Sequence, residues 1–269
     1  MPRLTGPACV RCGNSLSSAL DESASVCRIC RMAPPPFQRA VAYAIYQDRV
    51  RDAIHAFKYE RISTVARRLG HMLALAIAEL EPHAPSSMLV VPVPLHRSKF
   101  AERGFNQARQ LAVHALAILR KTHPAWKLRL ASDTLMRLRA TENQAALTPH
   151  QRRLNVRRAF AVSDPRVVDG RDILLIDDIF TTGATARAAS RELIAAGAAS
   201  VWVATLARAR MMHERRGTSS LYQHAPHDKQ TYSGFADDGQ ADELNQESMH
   251  SFNQPPILLT SNHPSFDEG

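Results

Sequence analysis

Residues 171–185 read RDILLIDDIFTTGAT, in which four apolar residues lead into two adjacent acids and then into a small, hydroxyl-rich loop. Because Ile173 to Ile176 do not alternate with polar residues, the run predicts a strand buried on both faces, as in a parallel sheet. An Ala-rich helical pattern follows and ends at Gly197, and a second apolar run covers Val201 to Leu206. The segment is therefore predicted to be a strand, a loop, a helix and a second strand.

The loop has the composition of an anion-binding site at the carboxyl end of a strand, where parallel sheets bind their ligands. Backbone N–H groups and hydroxyls of residues 181–185, with the start of the next helix, offer several donors to one phosphate group. Gly183 lets the backbone come close to the anion. The loop contains no Lys and no G-x-G-x-x-G, so it matches neither a nucleoside-triphosphate P-loop nor a dinucleotide fold.

Asp177 and Asp178 narrow the choice of ligand. Two carboxylates beside a phosphate site would repel phosphate, so their natural partners are neutral hydroxyls on the same ligand, contacted directly or through a magnesium ion. A sugar phosphate meets both requirements. The alternative is a plain strand-to-helix turn whose acidic edge pairs with the helix dipole.

All four cysteines lie in the first 30 residues, as the pairs Cys9-x2-Cys12 and Cys27-x2-Cys30. Two such pairs complete a tetrahedral site of four thiolates, which predicts a structural zinc ion because no position is left for a catalytic water. Disulfides are the competing interpretation, but nothing in the sequence indicates secretion. The segment has few apolar residues, so the metal is expected to supply its folding free energy.

The 269-residue chain is long enough for one α/β domain with additions, and its charge is unevenly distributed. Residues 96–158 hold 14 Lys/Arg against 3 Asp/Glu, a net charge of +11, which should attract a polyanion such as pyrophosphate or nucleic acid. A solvated basic face would have the same composition. No apolar run reaches the roughly 18 residues of a membrane span, and the N-terminus lacks a signal-peptide pattern, so we expect a cytoplasmic protein with no membrane partner.

Three regions are predicted. Residues 1–33 form a zinc-ribbon-like module, residues 34–210 form the ligand-binding domain, and residues 211–269 form a polar tail with 3 Lys/Arg against 9 Asp/Glu. The tail is predicted to be disordered, or else to arise from a shifted reading frame. Within the domain, the patterns predict strands at Val41–Tyr46 and Met88–Val91, helices at Val50–Tyr59 and Thr64–Leu80, and a charged loop after His96 that becomes a helix near Asn106.

Four ordered motifs and the four-cysteine module together carry a family resemblance. The motifs are FKY at 57–59, PVPLH with RGFNQA at 92–96 and 103–108, the stretch 139–160 containing RAT and NVRRAF, and LIDDIFTTGAT at 175–185. Over residues 9–208 the chain resembles the ComF family of competence-type phosphoribosyltransferase-like proteins. The resemblance implies a type I phosphoribosyltransferase fold, in which helices flank a parallel sheet.

The resemblance also implies a ligand, 5-phosphoribosyl 1-pyrophosphate (PRPP) with magnesium. On the family's pattern Asp177 and Asp178 hold the ribose hydroxyls, and the 5′-phosphate is held by Thr181, Thr182, Gly183, Ala184 and Thr185. The pyrophosphate end and a hood over the reacting sugar are assigned to Pro94, His96, Arg103, Arg139, Thr141, Gln144, Arg152 and Arg153. Arg103 is expected to contact phosphate directly because its planar fork suits that ligand, whereas Lys58 is a weaker candidate. For His96, an ordinary loop histidine is the alternative.

Two classes of function follow. As an enzyme, the protein would displace pyrophosphate from the anomeric carbon with an unidentified nitrogen nucleophile, using Asp177, Asp178 and Arg103 as catalytic residues. As a competence or DNA-uptake factor, it would bind single-stranded DNA or DNA-processing proteins and use the site as a sensor or scaffold. A regulator that binds PRPP without turnover is a third alternative.

Overall fold

Strands and helices together make up most of the described residues between positions 28 and 208. The computed structural model describes residues 8–16, 25–59, 63–139 and 159–209. Its strands are β1 (Ala40–Ile45), β2 (Ser87–Pro92), β3 (Lys127–Leu130), β4 (Leu135–Arg137), β5 (Phe160–Val162), β6 (Asp172–Phe180) and β7 (Ser200–Arg208). Its helices are α1 (Arg28–Met32), α2 (Asp48–Tyr59), α3 (Ser63–Ala78), α4 (Arg97–Arg103), α5 (Gln107–Thr122), α6 (Pro165–Val168) and α7 (Ala184–Ala195).

Five parallel strands form a sheet in the order β1-β7-β6-β2-β3, with β6 at its centre. Side chains of β6 alternate between the two faces, so that Ile173 and Leu175 join one buried cluster while Leu174 and Ile176 join the other. All four side chains are fully buried. The prediction of a strand covered on both faces is confirmed, and with it the α/β class and the parallel sheet.

Two hydrophobic cores cover the sheet. The first core lies between the sheet and the helices α2, α3 and α5, and it contains Phe57, Leu73 and Leu111. The second core lies on the opposite face beneath α7 and the antiparallel β4–β5 hairpin, and it contains Phe37 and Leu193. All four cysteines belong to this second core, so the cysteine segment packs directly onto the sheet.

The prediction of a charged loop after His96 is wrong, because residues 97–103 form α4. The His96 side chain caps this helix by accepting a hydrogen bond from the Ser98 backbone N–H at 3.3 Å, and Gly104 ends it in the left-handed region with a φ of 76°. No side chain of α4 is buried. A helix without a buried face has no apolar periodicity, which is why the sequence did not reveal it.

The strand β6 continues beyond the apolar run and includes both Asp177 and Asp178 before it ends at Phe180. The acid pair therefore projects from a hydrogen-bonded strand and not from the loop that follows. Four of the predicted hood residues, Thr141, Gln144, Arg152 and Arg153, lie outside the described residues, as does the predicted tail. Within the part of the chain that the structure describes, no helix is long and apolar enough to cross a membrane.

Candidate functional site

The PVPLH and LIDDIF motifs meet at one edge of the sheet, the edge formed by the carboxyl ends of β2 and β6. Pro92 at the end of β2 pairs with Ile176 of β6, and the Val93 N–H donates to the Ile176 carbonyl at 2.8 Å. Asn106 then joins the next helix to this loop, since its Nδ2 donates to the Val93 carbonyl at 3.1 Å while its Oδ1 accepts from the Arg109 N–H at 3.3 Å. The loop after β2 is thereby held beside Asp177.

A cavity of about 540 Å³ opens at this edge, a volume typical of small-molecule sites. Most of the predicted site residues line it: Pro94, His96, Arg103, Asp177, Asp178, Thr181, Gly183, Ala184 and Thr185. Thr182 and Arg139 are not among the lining residues. The Thr182 hydroxyl accepts a hydrogen bond from the Ala184 N–H at 3.4 Å, and Arg139 is exposed after β4.

Lys58 forms an ion pair with Asp178 inside the cavity. The side chains of Lys58 and Asp178 are only 19% and 16% exposed, so the pair is largely shielded from water. Lys58 is held there by its neighbour Phe57, which is fully buried and lies 5.6 Å from the ring of Phe105. Lys58, which the sequence offered only as a weaker candidate, therefore lies in direct contact with the acid pair.

Burial and the Asp178 charge raise the pKa of Asp177 to about 8, although the Asp178 N–H donates to Asp177 Oδ1 at 2.9 Å. Burial also acts to raise the pKa of Asp178, but the Lys58 ammonium outweighs it and the pKa is lowered. Lys58 shows the complementary balance, since burial acts to lower its pKa and Asp178 raises it. At neutral pH the ligand-free pair therefore carries about one negative charge, which Lys58 balances.

Position 183 requires glycine because of its backbone conformation and because of the adjacent Phe180 ring. It adopts a φ of 73°, in the left-handed region, and it precedes the first residue of α7. A Cβ at this position would lie 2.5 Å from Cζ of Phe180. Any other residue would therefore disturb both the loop and the phenyl ring beneath it.

Two arginines also line the cavity. Arg103 donates from Nη1 to Gln107 Oε1 at 3.2 Å, which joins the end of α4 to the start of α5. The guanidinium carbon of Arg137, on β4, lies 5.4 Å from the ring centroid of Phe160. Burial lowers the pKa of Arg137, although the Asp177 carboxylate opposes this effect. No sequence motif indicated Arg137, and the nearest signal was the RAT motif that begins two residues later.

The four cysteines are buried, free and close together. Their Sγ atoms all lie within 4.8 Å of one another, and Cys12 Sγ is 3.8 Å from Cys27 Sγ. A disulfide would need about 2.05 Å, whereas a tetrahedral site with Zn–S bonds of about 2.3 Å separates its sulfurs by about 3.8 Å. The thiols therefore have the number, chemistry and spacing of a four-sulfur metal site.

Comparison with known proteins identifies relatives of the chain. Residues 108–225 match the phosphoribosyl transferase domain family. The chain is 33% identical over 184 residues to the DNA utilization protein YhgH of Escherichia coli strain K12, covering 68% of this chain and 77% of that protein. It is 27% identical to competence protein F of Haemophilus influenzae (76% and 85% covered) and 27% identical to competence protein ComFC of Bacillus subtilis (77% and 80% covered).

The raised pKa of Asp177 predicts that Asp177→Asn stabilises the ligand-free protein at alkaline pH. Because the folded pKa of about 8 exceeds the unfolded value of about 3.9, the proton on Asp177 stabilises the fold, and this contribution is lost as pH rises from about 4 through about 8. Asn carries no titrating proton. At pH 9 we expect Asp177→Asn to raise the free energy of unfolding by roughly 1–2 kcal/mol, or Tm by about 2–8 °C, with little change at pH 5.

The matched control is Asp178→Asn, measured by thermal unfolding across the same pH range. Its expected effect has the opposite sign at neutral pH, because the lowered pKa of Asp178 reflects a carboxylate that stabilises the fold above about pH 4. Loss of this carboxylate also leaves Lys58 without its ion-pair partner. An Asp177→Asn variant with the pH profile of the wild type would contradict the interpretation of the pair.

Proposed function

The chain belongs to the ComF family of phosphoribosyltransferase-like competence proteins, and from this we propose that its cavity binds PRPP and that the protein transfers the phosphoribosyl group to a nitrogen nucleophile. The observation that carries the proposal is the set of groups that line one cavity. The carboxylate pair, the residues at the start of α7 and two arginines, Arg103 and Arg137, all line it. A ligand that carries both anionic groups and hydroxyls suits that lining.

We propose that the 5′-phosphate lies against the loop of residues 181–185. Ala184 lines the cavity and begins a 12-residue helix, so the first turn offers backbone N–H groups and the positive end of the helix dipole to a phosphate there. The hydroxyls of Thr181 and Thr185 line the same wall. Gly183 keeps the wall free of a side chain, which lets a phosphate approach the backbone.

The ribose hydroxyls would bind Asp177 and Asp178. Asp178 is a carboxylate and accepts hydrogen bonds. Asp177, with its pKa of about 8, donates a hydrogen bond when it is protonated and accepts one when it is ionised. Lys58 keeps the pair close to neutral overall, so the polyanionic ligand meets less repulsion. Lys58 therefore acts as a counter-ion that makes an acidic sugar site compatible with flanking phosphates.

The proposed reaction breaks the bond between the anomeric carbon and the pyrophosphate oxygen, whose electron pair leaves with pyrophosphate, while a nitrogen lone pair forms the new bond to carbon. The proton of the nucleophile passes to the departing pyrophosphate or to water, so the step balances without another base. Because the sugar becomes cationic in the transition state, the Asp177–Asp178 pair stabilises it, and Arg103 and Arg137 stabilise the departing anion. Magnesium, when bound with the ligand, would supply further charge neutralisation at the pyrophosphate. No covalent nucleophile from the chain is required.

Titration with PRPP and magnesium tests the proposal. We expect the wild type to bind and the double variant Asp177→Asn, Asp178→Asn to bind at least about 100-fold more weakly, because the Asp178 carboxylate and the proton-bearing Asp177 carboxyl are both lost. Isothermal titration calorimetry measures both affinities. The matched control is Asp52→Asn, Asp133→Asn, which changes charge equally at two exposed positions.

Equal binding by both double variants, or none by the wild type, would exclude the site. Release of pyrophosphate from PRPP, screened across candidate bases and amines on the same samples, separates transfer from binding alone. Release by the wild type that the Asp177→Asn, Asp178→Asn variant lacks would establish turnover. Binding without release for every acceptor would favour a regulator.

A second candidate function is DNA handling without catalysis, in which the PRPP site acts as a sensor or scaffold. The names of the relatives refer to DNA utilization and competence. The basic stretch also presents exposed side chains to solvent, namely Arg97, Arg109, Arg120, Lys121, Lys127 and Arg129. Such a surface attracts a nucleic-acid backbone without specifying its sequence.

For this second function we expect binding of single-stranded oligonucleotides that weakens steeply with salt, by a slope in log K of about −0.7 per neutralised phosphate. Arg120→Glu, Lys121→Glu should reduce oligonucleotide affinity and leave PRPP affinity unchanged, because both residues are exposed on α5 and neither lines the cavity. Fluorescence anisotropy at several salt concentrations measures this. An oligonucleotide affinity that changes neither with salt concentration nor with the charge reversal would count against a DNA role.

We further propose that the four cysteines bind one structural zinc ion. Elemental analysis of the purified chain is expected to give one zinc per molecule, and removal by a strong chelator is expected to lower Tm, because the cysteines share the second core with the sheet. Cys27→Ser provides a matched loss of one ligand. A protein without thiol-bound zinc, or with an unchanged Tm after chelation, would contradict the assignment.

A further inference from the structure

Arg208 joins the cysteine cluster to the wall of the cavity. It ends β7 and is only 4% exposed. Its guanidinium donates from Nη1 to the Cys12 carbonyl, and its Nη2 lies 3.6 Å from Cys12 Sγ. The same guanidinium lies over the ring of Phe180, 4.6 Å from the centroid. One planar group therefore contacts a cysteine on one side and an aromatic ring on the other.

Phe180 extends this contact to the phosphate loop. The ring meets Phe37 edge-on at a centroid distance of 6.1 Å, and it lies against the backbone of Gly183, where no Cβ could fit. Phe180 also lines the cavity and directly precedes Thr181. The position of the Phe180 ring therefore determines how far the backbone of residues 181–185 projects into the cavity.

The energetics of Arg208 depend on what the cysteines hold. A buried guanidinium costs several kcal/mol unless hydrogen bonds and opposite charge compensate it. Four thiolates around one divalent zinc ion leave a net charge of about −2, which supplies that opposite charge. Four neutral thiols would leave Arg208 with its hydrogen bond to the Cys12 carbonyl and, among the described residues, without a carboxylate that pairs with it. A bound metal ion would thus fix the position of the Arg208 guanidinium, and the guanidinium would fix the position of the Phe180 ring.

We propose that Arg208 is a positioning residue that couples metal occupancy of the four-cysteine site to the order of the phosphate loop, residues 181–185. The assignment of this loop to a phosphate rests on the proposed function. The coupling itself rests on the contacts among Cys12, Arg208, Phe180 and Gly183. The four-cysteine site then has a role beyond the stability of its own segment, because it sets the geometry of a ligand-binding wall on the same face of the sheet.

Amide hydrogen exchange on the full chain tests the coupling without any ligand. In zinc-loaded Arg208→Met, exchange of residues 181–187 should be at least about tenfold faster than in the wild type, including the Arg187 N–H that donates to the Gly183 carbonyl at 2.8 Å. Exchange of residues 93–96, in the loop after β2, should not change. Zinc removal from the wild type should reproduce the local effect, and zinc removal from Arg208→Met should add nothing to it.

Two variants separate positioning from general stability. Arg171→Met removes an exposed arginine and should leave all segments unchanged. Arg208→Lys keeps the charge but loses the planar fork, so it should restore global stability if Arg208→Met is poorly folded while residues 181–187 stay loosened. Unchanged exchange of these residues in folded Arg208→Met or Arg208→Lys, or after zinc removal, would overturn the coupling. So would faster exchange spread evenly over every segment.

The outcomes are distinguishable from those of the proposed function. If the wild type fails to bind PRPP but loop exchange responds to Arg208 and zinc, the coupling stands and the ligand assignment falls. If PRPP binds and exchange of the loop changes neither on substitution of Arg208 nor on zinc removal, the ligand assignment stands and the coupling falls.

Discussion

Hydrogen bonding of β6 to β2 on one edge and to β7 on the other is the constraint on which the site depends. Both edges and both faces of the strand are covered, so its register cannot slip without moving apolar side chains into the wrong core. The pairing of Pro92 with Ile176 then brings the loop after β2 beside Asp177. Two motifs that are far apart in the sequence become the two sides of one cavity for this reason.

Within that frame, the acid pair is where stability and binding conflict. Asp177 is kept mostly protonated at neutral pH by burial and by Asp178, while Asp178 is kept ionised by Lys58. Such opposed pKa shifts are common where a site needs both a donor and an acceptor. Burial of two adjacent carboxyl groups costs folding free energy, and the Lys58 ammonium offsets this cost directly for Asp178.

The cysteine cluster packs against the central sheet. Its sulfurs share the second core with Ile173, Val201 and Leu193, so the cluster and the sheet stabilise each other. Arg208 adds a polar connection through this core, from Cys12 to the ring of Phe180. A few side chains therefore connect the cysteine cluster to residues 181–185.

The sequence by itself determined the features that local pattern and chemistry encode. The apolar run Ile173 to Ile176 predicted the central strand, the glycine and hydroxyls of residues 181–185 predicted the loop, and the paired cysteines predicted a four-sulfur cluster. Only the tertiary structure decided which residues meet. Lys58 reaches Asp178, Arg137 reaches the cavity and Arg208 reaches Cys12 from separate elements, and no periodicity records such contacts. The pKa values of the acid pair follow from those contacts, because burial and the distance between charges exist only after the chain has folded.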